Sequence, residues 1–69
     1  APEERTDEDN ITILQRSLQK DPGNVIIMLQ LADLYIKTND NKSAKKTLEK
    51  VLEIDPYNKD AAEGLKKLE

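Results

Sequence analysis

The chain repeats itself with a period of 34 residues. When the sequence is aligned with itself at that offset, identical residues coincide at apolar or turn positions: Leu14/Leu48, Leu18/Leu52, Asp21/Asp55, Pro22/Pro56, Asn24/Asn58, Leu31/Leu65 and Leu34/Leu68. A period of this length is typical of repeat proteins, in which each unit packs on its neighbours to bury a continuous core. The repeat therefore predicts a stack of similar units.

Two turns of the same kind are predicted at residues 21–24 (Asp-Pro-Gly-Asn) and 55–58 (Asp-Pro-Tyr-Asn). Proline disfavours helical geometry in the residue before it, so each turn ends the preceding helix. The asparagine can then accept a hydrogen bond from a free backbone N–H and cap the next helix. A third break is predicted at residues 38–41, where Asn39 tolerates the left-handed conformation and Asp40 can cap the following helix.

Apolar residues between these breaks follow a helical spacing. The spacing predicts an all-α fold of four helices at about residues 7–20, 25–38, 41–54 and 59–68, with antiparallel neighbours because the turns are short. On the last helix, Ala61 or Ala62 belongs to the apolar face. The other predicted core residues are Leu14, Leu18, Met28, Leu31, Ala32, Tyr35, Ala44, Leu48, Val51, Leu52, Pro56 and Leu65.

The composition restricts the chemistry that this chain can perform. Cysteine and histidine are absent, so no disulfide and no thiolate zinc site can form, and neither a cysteine nucleophile nor a histidine general base is available. Ser43 and Lys46 have the spacing of a serine–lysine nucleophile, but the motifs that accompany it are lacking. The acidic cluster Asp7, Glu8 and Asp9 has neither the spacing nor the glycine of a calcium loop, and Thr6 with Asp9 fits a capping box better. We predict no enzyme activity, catalytic residue, metal or cofactor.

Charge is concentrated at the start of the chain. Residues 1–10 carry five acidic groups against Arg5, a net charge of −4, whereas the remainder carries ten basic and nine acidic groups, a net charge of +1. We predict a flexible acidic tail at residues 1–9 and a single domain at residues 10–69. The nearly neutral body shows no bias towards nucleic acid or anionic lipid. We interpret a lysine cluster on the third helix as a solvated outer face. The cluster consists of Lys42, Lys45, Lys46 and Lys50.

Nothing in the sequence predicts membrane insertion. The longest apolar run, residues 25–29, is much shorter than a membrane span, and no secretory signal is visible. The compartment stays open, with the cytoplasm slightly favoured.

Residues 25–58 resemble one complete tetratricopeptide repeat (TPR) motif. The resemblance rests on the period, the turns and the alternation of large and small residues: Met28, Leu31, Ala32, Tyr35, Ala44, Leu48, Val51 and Pro56. Met28 stands where the family often has tryptophan, and Ala32 where it often has glycine. Residues 10–24 are similar to the second half of a preceding motif, and residues 59–69 to the capping helix that closes TPR arrays.

The resemblance implies that the chain binds another protein or peptide in a concave groove. By this resemblance, the residues expected to line the groove are Ile26, Leu29, Asp33, Ile36 and Lys37. Independently, Ile26, Leu29 and Ile36 form a second apolar stripe beside the core stripe of helix 25–38. Such a helix is buried on more than one side or binds a partner. The stripe can be covered by the chain itself, by a partner, or by a second copy in a weak homodimer.

Some TPR domains hold a terminal carboxylate with a lysine and asparagine clamp. The corresponding region here offers Leu29 and Asp33, and an aspartate repels a carboxylate. The expected ligand is therefore an amphipathic helix or an extended apolar segment, not a nucleic acid. The alternative function is structural: an oligomerisation or docking segment of a larger TPR protein with no separate ligand.

Overall fold

The computed structural model describes residues 6–68, which form four α-helices. Helix α1 spans Asp7–Lys20, α2 spans Val25–Lys37, α3 spans Asn41–Ile54 and α4 spans Lys59–Lys67. The all-α prediction is confirmed, and each predicted helix end agrees with the observed one to within one residue. Of the predicted flexible tail, residues 1–5 lie outside the described residues, whereas residues 7–9 form the first turn of α1.

The two Asp-Pro-x-Asn turns fold in the same way. The side chain of Asn24 accepts a hydrogen bond from the Ile27 N–H at 3.2 Å and donates one to the aspartate three residues earlier at 3.1 Å. The side chain of Asn58 accepts from the Ala61 N–H at 2.9 Å and donates to the aspartate three residues earlier at 3.3 Å. Each asparagine thus caps the helix that follows and ties it to the end of the helix before.

The other two helix starts are also capped as the sequence predicts. The Thr6 hydroxyl accepts from the Asp9 N–H at 3.1 Å, and the Asp9 carboxylate accepts from the Thr6 N–H at 3.4 Å, which completes a capping box. In the turn between α2 and α3, Asn39 has a φ of 64° and Asp40 accepts from the Ser43 N–H at 3.2 Å. Asparagine suits that position because its side chain tolerates the left-handed region.

The core lies around α3. This helix packs against α2 on one side and α4 on the other, while α1 packs against α2 and the direct contact between α2 and α4 is small. Small residues in α2, α3 and α4 allow the helices to approach closely. The fully buried apolar residues are Met28, Leu31, Ala32, Ala44, Leu48, Val51 and Ala61.

The predicted core residues differ in their burial. Six are buried, and five are half-buried at the margin of the core: Leu14, Leu18, Tyr35, Leu52 and Leu65. The Tyr35 hydroxyl reaches this margin and accepts a hydrogen bond from the Gln15 side chain of α1 at 2.8 Å. Pro56 requires a correction, because it is exposed in the turn and contributes by ending α3, not by packing. The sequence placed either Ala61 or Ala62 on the apolar face of the last helix, and in the structure Ala61 is buried and Ala62 is exposed.

We expect Leu48→Ala to lower the free energy of unfolding by about 2–5 kcal/mol, because Leu48 is 2% exposed and its removal leaves a cavity between three helices. Leu31→Ala should have a similar effect. Losses of this size are comparable with the total stability of so small a domain. Thermal unfolding followed by circular dichroism measures them. Ile26→Ala, at a side chain 69% exposed, is the control. A loss under about 0.5 kcal/mol at both leucines would contradict the packing.

The cap at Asn58 allows a second test. Asn58→Ala should lower the stability by about 0.5–2 kcal/mol, because it leaves the Ala61 N–H without its side-chain acceptor. Asn58→Ser keeps an oxygen acceptor and should retain most of that stability. Urea unfolding of both variants would measure the difference, and equal losses would show that the side-chain hydrogen bond contributes nothing.

Candidate partner-binding site

A groove of about 290 Å³ lies between α2 and α4, and we call it the α2–α4 groove. These two helices occupy equivalent positions in successive repeats, since the 34-residue offset carries the start of α2 onto the start of α4. Leu48, a buried residue of α3, forms part of the groove floor. The lining residues are Leu29, Asp33, Ile36, Leu48, Asp60, Glu63, Gly64 and Lys67.

Three of the five residues predicted for partner binding line this groove. Leu29, Asp33 and Ile36 follow i, i+4, i+7 along α2, a spacing that places them on one face of the helix. Leu29 and Ile36 are half-buried, and Asp33 is exposed. The other two, Ile26 and Lys37, are exposed near opposite ends of α2 and are not among the residues that line the groove.

The wall formed by α4 was missed by the sequence reasoning. Its charged members are Asp60, Glu63 and Lys67, which are exposed and follow i, i+3, i+7 along the helix. The repeat itself contains the signal that identifies them. Adding 34 to the positions of Ile26, Leu29 and Asp33, three of the predicted groove-lining residues, leads to these three residues.

Gly64 allows α4 to lie close to α3 at the floor of the groove. A Cβ atom at this position would lie 2.8 Å from Cδ1 of Leu48, closer than carbon atoms normally approach. The glycine therefore leaves room for the Leu48 side chain beneath the groove, although glycine weakens a helix interior by about 1 kcal/mol relative to alanine.

The rim of the α2–α4 groove is acidic. The lining residues include three carboxylates, Asp33, Asp60 and Glu63, against one ammonium group, Lys67, which gives a formal net charge of −2. The apolar lining comes from Leu29, Ile36 and Leu48, named above. The arrangement can hold apolar side chains at its floor and attract positive charge at its rim, and it opposes the binding of a terminal carboxylate.

A second groove, of about 450 Å³, lies between α1 and α3, which do not contact each other. We call it the α1–α3 groove, and α2 forms much of its floor through Met28, Leu31 and Tyr35. Its charged lining residues are Lys46 and Lys50, two members of the lysine cluster, with no acidic residue in the lining. The two grooves therefore use different faces of α2 and have opposite formal charge.

Residues 6–68, which the structure describes, contain neither a cluster of metal ligands nor a membrane-spanning helix. In that range no group of three acidic, histidine or cysteine side chains is arranged to hold a metal ion. None of the four described helices is both long and apolar enough to cross a bilayer. Asp7, Glu8 and Asp9 lie instead in the first turn of α1, where negative charge interacts favourably with the helix N-terminus.

Comparison with known proteins gave one match. A family model described as tetratricopeptide repeat matches residues 11–68, a range that includes all of α2, α3 and α4 and most of α1. No curated protein and no solved structure matches the chain.

The contact between Gly64 and Leu48 leads to a prediction about stability. Gly64→Ala should show little of the gain of about 1 kcal/mol that this substitution normally brings in a helix, because the added methyl group must displace a buried leucine. Ala62→Gly, at an exposed position of the same helix, is the control and should lose about 1 kcal/mol. Chemical unfolding would compare them. A full gain at Gly64 would show that the close contact has no energetic effect.

Proposed function

The chain belongs to the tetratricopeptide repeat family, and on this premise we propose that the α2–α4 groove binds a helical or extended segment of another protein. The family as a whole consists of protein–protein interaction modules. The main observation in support of this proposal is the groove, which lies between the first helices of two successive repeats.

The size of the groove supports binding of a few side chains. A volume of about 290 Å³ is just below the roughly 300–1,000 Å³ of small-molecule pockets, and the groove is partly open to solvent. An apolar centre bordered by polar residues is also the usual arrangement of a protein interface. One or two anchoring side chains of a longer segment fit this description better than an enclosed small molecule.

We also propose that the chain acts by binding alone. Tetratricopeptide repeats are typically non-catalytic, and the polar residues at the groove are exposed carboxylates and a lysine. Exposed groups of this kind are solvated, whereas catalytic acids and bases are usually found in partly buried sites.

The alternative is a structural segment that docks onto another helix or a second copy of the chain. A hollow of about 380 Å³ beside α1 favours this alternative, because Leu14 and Leu34 line it together with Ile13, which is 40% exposed. The 34-residue repeat, which aligns α1 with α3, argues against a contact at this hollow that resembles the packing of the core. Helix α1 has Asn10 and Ser17 at the positions where α3 has the buried Ala44 and Val51. The exposed face of α1 is thus too polar to repeat the packing of α3.

Ile36→Glu tests the proposed site. Ile36 lines the groove, so a carboxylate there should weaken binding of a protein partner at least about tenfold by placing an unpaired charge against apolar groups. Titration calorimetry with a partner isolated on the wild-type chain would measure the affinity. The matched control is Ile54→Glu, at a side chain 51% exposed and outside the groove lining.

Circular dichroism must show that both variants keep their helical content. If Ile36→Glu and Ile54→Glu bind the partner equally well, the partner does not occupy the α2–α4 groove. In that case the α1–α3 groove becomes the candidate site.

A further inference from the structure

We propose that the α2–α4 groove selects a cationic amphipathic segment, in which lysine or arginine stands next to apolar residues. This inference rests on the proposed function and adds the chemistry of the partner. The sequence alone predicted an amphipathic helix or an extended apolar segment and did not specify its charge.

The acidity of the groove is produced by the fold. Asp33 on α2 and Asp60 on α4 are 27 positions apart in the sequence and line the same groove. Residues 11–69 together carry a net charge of +1, so the groove, at −2, has the opposite sign to the rest of the domain. Lys67 lies one helical turn after Glu63, and Lys37 lies one turn after Asp33, so each lysine can neutralise one carboxylate at most. Asp60 has no lysine three or four positions away along α4 and remains available to an external cation.

The layout of the groove matches the shape of a basic side chain. Lysine and arginine have an apolar stem and a charged end, and they bind well where both parts find suitable surroundings. In this groove the stem can lie against the half-buried Leu29 and Ile36, above the buried Leu48, and the charged end can reach the carboxylates at the rim. The rim carboxylates are exposed, so their attraction for a cation acts through solvent and depends on the salt concentration.

The α1–α3 groove disfavours the same ligand. Its charged lining residues are Lys46 and Lys50, which repel a cationic segment, although its floor is also apolar. Charge therefore decides which of the two apolar grooves a basic segment enters. A segment with acidic flanks would have the reverse preference.

Two synthetic helical peptides with the same apolar face provide the probe, one flanked by lysines and the other by glutamates. Each is titrated into the isotopically labelled full chain and followed by nuclear magnetic resonance. The lysine peptide should shift the amide signals of Leu29, Ile36 and Gly64, and it should bind at least about tenfold more tightly than the glutamate peptide. Raising the salt from about 0.05 to 0.5 M should weaken this binding, because salt screens exposed charges.

The variants Asp60→Asn and Glu63→Gln, combined in one chain, remove two rim charges and keep similar side-chain sizes. We expect this double variant to bind the lysine peptide about five- to tenfold more weakly. The matched control combines Lys46→Gln and Lys50→Gln in the α1–α3 groove and should leave that affinity unchanged. All four residues are exposed, so neither double variant is expected to disturb the core.

The outcomes separate this inference from the proposed function. If both peptides shift the groove signals with equal affinity, or if the Asp60/Glu63 variant binds as well as wild type, the charge selection is wrong and the groove remains the binding site. If the lysine peptide shifts only signals of the α1–α3 groove, both proposals are wrong. If it does not bind at all, the selection for cationic segments is wrong, and Ile36→Glu still tests the groove with a natural partner.

Discussion

The fold depends on the burial of one face of α3 between α2 and α4. Ala44, Leu48 and Val51 are almost completely buried on this face. Since α2 and α4 have little direct contact, the side chains of α3 set the distance between them. The α2–α4 groove is the space that remains above α3 once those side chains are packed. The same burial therefore contributes hydrophobic stabilisation and also determines the shape of the candidate site.

Stability and binding are consequently linked at Leu48, which belongs to the core and also reaches the groove. A segment that covers the groove would remove more apolar surface from water and would stabilise the folded domain by mass action. The helix on the other side of the molecule, α1, contributes less to this arrangement, because it packs on α2 alone and has no fully buried residue.

Most of the fold could be predicted because its signals are local. The prolines and asparagines of the turns act on residues within one helical turn, so the helix ends were located to within one residue. The apolar spacing also identified the buried residues on α2 and α3. Pro56 was placed in the core because the family motif contains it there, but the structure shows it exposed in the turn. Membership of a repeat motif indicates a structural role and does not by itself indicate burial.

The wall of the candidate groove formed by α2 could be predicted from the sequence, and the wall formed by α4 was not. Leu29, Asp33 and Ile36 share one face of α2, and the period of a single helix is sufficient to group them. Asp60 and Glu63 join them only because α3 holds α4 beside α2, at a separation set by side-chain volumes in three helices and by the missing Cβ of Gly64. The sequence by itself thus determined the helices, their caps and their apolar faces, which depend on neighbours a few residues away. The tertiary structure decided which faces border a common groove and what charge that groove carries, because both depend on distances between helices.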